Sequence, residues 1–195
     1  MYPEDEPPRD SAIDLLVQRA NERLSKPGGV EVQRTTYAGE SKTWSSGALR
    51  SLVNDVSDTS TGGSRVVLHV IYVKGGSDHD TGNSKVLGVF FQNGRIAMFP
   101  DAINGGGLLG SPFGAVDVER AVIVHEFGHA IGLVNLGIPM QRDHEDDEHE
   151  KHSSNSRSVM YWAVETTLGL SSLTGTIPDD FDADDRADLQ AAGGK

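Results

Sequence analysis

His125-Glu126-Phe127-Gly128-His129-Ala130-Ile131-Gly132-Leu133 is the stretch on which the reading of this chain turns. Two histidines four residues apart on a helix lie about 40° apart around its axis and about 6 Å apart along it. Both imidazoles can then reach one metal ion at about 2.0–2.1 Å. Glu126, between them, points to one side and approaches a metal-activated water instead of the metal. Val122, Ile123 and Val124 precede the pattern, and Ala130, Ile131, Leu133 and Val134 follow it. A helix apolar nearly all round belongs in a core. Histidines and a glutamate buried there need partners, because unpaired polar groups in a core are costly. A metal ion serves all three. Gly132, three residues after His129, permits a left-handed turn that ends the helix and swings the chain back under the metal.

Outward from this helix, which the pattern runs from Asp117 to about Leu133, other elements can be read. Ile13, Leu16, Val17, Ala20 and Leu24 recur at helical spacing, so 12–25 is predicted as an amphipathic helix after a Ser11/Asp14 capping pair. Residues 30–37 read as a strand, and 46–57 as a helix capped by Ser45 or Ser46. The β-branched run 66–73 suggests a strand covered on both faces. Apolar runs 86–91 and 95–99 flank Gln92-Asn93-Gly94, a strong hairpin signal. Residues 101–116 are glycine-rich and irregular, and 163–177 read as loop. Pro178 to Ala192 is predicted as a final helix with an acidic first turn. The first ten residues, acidic and proline-rich, are expected to be a disordered lead-in. Residues 11–195 are then one α+β domain, with an upper part of about 11–133 and a lower part of about 134–195.

The chain has 195 residues, a formal charge of −12 and no cysteine. The charge disfavours nucleic acid and anionic membrane as partners. Lack of cysteine excludes disulfides and thiolate metal ligands. No apolar stretch reaches the roughly 18–20 residues of a membrane span. The start does not read as a signal peptide. A monomer is the default expectation.

With its glycine, the 125–133 stretch resembles the metzincin clan of zinc peptidases, pattern HExxHxxGxxH, and most of all the matrixin branch, the matrix-metalloprotease type. That family has His or Asp where this chain has Asn135, and a neutral carboxamide is a poor zinc ligand. Matrixins also read His-Ser, four residues, a small residue, an aliphatic residue, then Met-Tyr. His152-Ser153 is followed here by Ser154-Asn155-Ser156-Arg157 and Ser158-Val159-Met160-Tyr161 in the same register. The resemblance thus implies His152 as third zinc ligand, displaced by an acidic insertion over 136–151. His149, His144 and Asn135 follow it in that order. Met160 would be the methionine of the tight turn below the metal, with Tyr161 structural beside it. In the insertion, six of the eight residues from Asp143 to Glu150 are acids. A solvated loop is the first reading of them, and a second cation such as Ca2+ the alternative. A Ca2+ site in 101–110 is a further, looser expectation.

The family resemblance implies a twisted, mostly parallel sheet of four to five strands with an antiparallel edge hairpin, an active-site helix and a C-terminal helix. It implies a Zn2+-dependent endopeptidase acting on protein or peptide, with Glu126 as general base, secreted or at the cell surface. Substrate would add to the exposed edge formed by Arg95, Ile96, Ala97, Met98 and Phe99. Two alternatives stand beside it. One is a non-catalytic zinc-containing binding domain that keeps the fold. The other is a zinc peptidase whose third ligand is a downstream glutamate, Glu165.

Overall fold

The computed structural model describes residues 1–105 and 113–195. Its centre is a three-stranded sheet made of β4 (His69–Tyr72), β7 (Arg95–Met98) and β6 (Gly88–Gln92), in that order. β4 and β7 are parallel, while β6 returns antiparallel through the Asn93-Gly94 turn. Both turn residues have positive φ, 46° and 69°, as the two-residue hairpin turn requires. β7 shows the two-residue period of a strand covered on both faces. Ile96 and Met98 join the core around the long helix, while Ala97 and Phe99 join a second core with Trp44, Leu49 and Val53.

That long helix is α4 (Ala115–Ala130), and His125, Glu126 and His129 lie in its last turns. Helix α1 (Asp10–Arg23) packs along it through a face that buries Ala12, Leu15, Leu16 and Ala20. Helix α2 (Ser46–Val56) covers the other face of the sheet and is capped by the Ser45 hydroxyl, which accepts from Ala48 N. Gly88 lets β6 approach α4 closely. A Cβ there would stand 2.5 Å from Val122 Cγ1 and 3.0 Å from Glu126 Cγ.

The α+β class expected from the sequence is present, but several details differ. The four- to five-stranded sheet is replaced by three small ones, the other two being β1 (Tyr2–Pro3) with β2 (Thr36–Tyr37) and β3 (Lys42–Trp44) with β5 (Gly75–Ser77). The run 66–73 pairs only from His69, because its partner β7 begins at Arg95 after the turn, and Val66 is left exposed. Residues 30–35 are not strand, and pairing with the N-terminal segment begins only at Thr35 O, which accepts from Tyr2 N. The lead-in 1–10 is ordered, contrary to its composition. Tyr72 N donates to Met1 O, β1 pairs with β2, and Arg9 bonds Glu119 on α4. Backbone pairing and one buried carboxylate hold a segment that has few apolar side chains to contribute. Part of 101–116 is helical as α3 (Pro100–Asn104), and the calcium expectation over 101–110 falls partly outside the described residues. Residues 163–177, read as loop, include the end of a 3-10 turn (Trp162–Val164) and helix α5 (Thr167–Ser172).

The last helix, α6 (Ala183–Ala191), starts later than expected, at a capping box formed by Asp182 and Asp185. Asp185 also accepts from the Ser158 hydroxyl, which in turn accepts from Met160 N. Met160 is fully buried under α4 against Gly128. A Cβ on Gly128 would lie 2.1 Å from Met160 Sδ and 2.9 Å from Phe181 Cε1. Gly128→Ala gains about 1 kcal/mol of helix propensity. Overpacking a filled core costs about 1–3 kcal/mol, so the variant is expected to be less stable by about 1 kcal/mol. Denaturant unfolding with an unchanged slope checks this, and a stabilised variant would mean that Met160 has room to move.

Candidate metal centre

Three imidazoles meet below the end of α4. His125 and His129 project from consecutive turns of the helix, and His152 comes from the lower part of the chain. Ring centroids are 4.7 Å apart for His125 and His129, 5.3 Å for His125 and His152, and 5.1 Å for His129 and His152. One donor atom from each, with one from Glu165, lies within 4.8 Å of all the others. It is the one group of three or more such side chains among the described residues, and it can hold a metal ion.

The hydrogen bonds decide which lone pairs face the centre. His125 Nδ1 is 2.6 Å from Val159 O, and His152 Nδ1 is 2.9 Å from Glu150 O. A carbonyl only accepts, so each Nδ1 carries a proton, which in the neutral form of the ring leaves the Nε2 lone pair facing the centre. His129 Nε2 lies 3.1 Å from His125 Nε2, with no proton supplied from the His125 side. Burial, and then the other imidazoles, lower the His129 pKa to about 4, so this ring is neutral near pH 7. Ring nitrogens of three imidazoles converge with a carboxylate oxygen. This donor set suits a cation, and carbonyl-anchored histidines are typical of metal ligands.

Glu165 Oε1 stands 3.4 Å from His125 Nε2, 3.5 Å from His129 Nε2 and 3.0 Å from His152 Nε2. The last approach is not in hydrogen-bond geometry, and His152 Nε2 has no hydrogen-bond partner among the described residues. Burial by itself would raise the Glu165 carboxyl, but the three imidazoles outweigh it and hold it well below the usual carboxylate range. Glu126 is the reverse case. Burial first, then the Glu165 charge, push its carboxyl well above that range, against the pull of a backbone N–H. That N–H belongs to Phe90 on β6 and donates to Glu126 Oε2 at 2.5 Å. Glu126 Oε1 is buried and has no partner among the described residues.

His152 arrives by a long detour that the backbone holds in place. Asp146 N donates to His152 O at 2.8 Å, and Ser153 N to Met160 O at 2.8 Å. Ser153 bridges Glu145 on one side and Tyr161 on the other. Lys151, just before the histidine, has φ 69°, a conformation held by its N–H on Glu145 Oε1.

The other sequence candidates go elsewhere. His149 stacks on Trp162 at 4.2 Å, 6° from parallel, and bonds Asp146. His144 is buried against α6, with Nε2 2.9 Å from Asp188 Oδ2. Burial also raises the nearby Asp185 carboxyl to about 6. Asn135, at φ 60°, donates to Glu145 Oε2 at the surface and shapes the turn after Gly132, itself at φ 92°. Asn135→Ala is expected to cost about 1 kcal/mol, because alanine tolerates this left-handed backbone less well than asparagine, and to leave the metal content unchanged. Metal analysis of the purified variant tests this, and lost metal would return Asn135 to the ligand set. Among the described residues the acidic insertion gathers no cation-binding group. Asp146 accepts from Glu148 and His149 N–H, and Glu145 from Lys151.

The expected substrate edge needs correction. Arg95–Met98 is the middle strand, paired on both sides, and Phe99 is buried below it. The outer strand is β6, Gly88–Gln92, the arm that reaches Glu126. Sequence reading weighed Glu165 only as a replacement for His152, whereas the structure puts both at the centre. No family model matches this chain, and neither does a curated protein or a solved structure.

Proposed function

We propose that this chain is a zinc-dependent endopeptidase of the metzincin type, with His125, His129 and His152 as the zinc ligands. One observation carries the reading: three imidazole Nε2 atoms converge beside a glutamate that the outer strand holds by one oxygen. Borderline-soft zinc suits a set of imidazoles. When bound, zinc supplies Lewis-acid charge that acidifies water and polarises a carbonyl.

The protein's own part follows from its geometry. Phe90 N–H fixes Glu126 Oε2, so Oε1 is the oxygen free to take a proton and later give it to the leaving amine. The raised affinity of Glu126 for protons suits that shuttle. An extended peptide can add along β6, whose pairing with β7 leaves its other side to a ligand strand. Tyr161 and the residues after it form the facing wall, held to the upper part by a Val86–Thr166 bridge. His149 and Trp162, stacked, belong to that lower part.

Glu165 favours a second reading. With it, four protein donors surround the centre, and a four-donor protein set is the mark of a structural metal site. Metal analysis together with cleavage of a denatured protein separates the two. The peptidase reading expects about one zinc per chain and chelator-sensitive cleavage. Zinc without cleavage of any unfolded substrate would favour the structural site, and absence of metal would remove both.

A further inference from the structure

We propose that Glu165 is a reversible fourth donor to the metal, a latch that closes the site in the resting protein and leaves when peptide enters. The proposal rests on the zinc-site reading above and extends it to regulation of the same centre.

The observation is the position of Oε1, within 3.0–3.5 Å of all three Nε2 atoms. No single imidazole partner explains such a position, whereas a shared central cation does. In a three-histidine site the fourth corner is the one that substrate and solvent use. A carboxylate delivered to it competes with both.

The segment that carries Glu165 is built as a strap. On one side it is the continuation of the Met160 turn. Val164 N donates to Tyr161 O, and Glu165 N to Trp162 O. On the other side it is tied to the residues just before β6. Leu87 N donates to Glu165 O at 2.9 Å, Thr167 N to Lys85 O at 2.9 Å, and Lys85 N to Thr167 Oγ1 at 2.9 Å. Helix α5 locks onto the strap at Gly169, where a Cβ would meet Ala163 Cα at 2.7 Å and its carbonyl oxygen at 2.6 Å. The strap thus pairs beside the residues that lead into the outer strand a peptide would use. A peptide strand adding there presses on the segment that holds the carboxylate. Glu165 itself is about one-third exposed, so its side chain has space into which to swing.

The test uses the full chain loaded with cobalt(II), whose visible absorption reports its donor set, with azide as the probe for an open corner. Wild-type protein is compared with Glu165→Gln and Glu165→Ala. The latch expects the wild-type spectrum to resist azide at concentrations that saturate the Ala variant. It expects both variants to yield metal to a competing chelator more easily, by roughly tenfold or more, at least the loss seen when an outer partner of a ligand is removed. Equal azide uptake and equal metal retention would overturn the latch and leave the three-histidine peptidase standing. A donor signature with no cleavage in any of the three proteins would overturn latch and peptidase together, leaving a closed structural site. Failure of every form to take up metal would remove the centre itself.

Discussion

Glu126→Gln protein is expected to carry as much metal as wild type and to cleave peptide about 10²–10⁴-fold more slowly. Glutamine fills the same space and can still accept the Phe90 N–H, so α4, the outer strand and the three imidazoles are undisturbed. What it lacks is a proton-accepting oxygen. In wild type that oxygen is buried, has no partner among the described residues, and belongs to a carboxyl whose affinity for protons is raised by burial and by the charge of Glu165. The variant therefore separates chemistry from assembly. Metal analysis and steady-state cleavage on one preparation check it, and a variant that still turns over would remove Glu126 from the reaction.

His152→Ala is expected to lose metal almost completely, well beyond the roughly 10–100-fold that removal of an outer partner costs. His149→Ala and His144→Ala are the controls. Either should retain the metal, because one ring lies on Trp162 and the other against Asp188. His144→Ala should instead lower stability, since it leaves a buried Asp188 with one partner fewer, worth about 1–3 kcal/mol. Chelator competition on the three variants reads the assignment. If His149→Ala loses metal as His152→Ala does, the third ligand has been misassigned.

The centre was more legible than the fold around it. Histidines four apart on an apolar helix fix their own geometry, because a helix is a local structure with a known pitch. His152 could be found because its spacing to Met160-Tyr161 matches the family pattern even though the preceding insertion breaks the other spacing. Glu165 could not be found in the same way. Its approach depends on the Val86–Thr166 bridge, a pairing of residues far apart in the chain that no local pattern reports. The choice of outer strand failed for a related reason. A hairpin signal says that two strands pair, but not which of them also takes a third partner. One clue was present: Ile96-Ala97-Met98-Phe99 is apolar at every position, as a strand covered on both faces should be. The lead-in was misjudged because composition registers apolar side chains and misses backbone pairing such as that of Tyr2–Pro3 with Thr36–Tyr37.

Phe90 gives its amide hydrogen to Glu126, and that bond has a kinetic corollary. Under the proposed function, the hairpin arm that would seat a guest chain is thereby tied directly to the group that would shuttle its proton, so a change in the Asn93-Gly94 bend would be expected to alter turnover before ion retention.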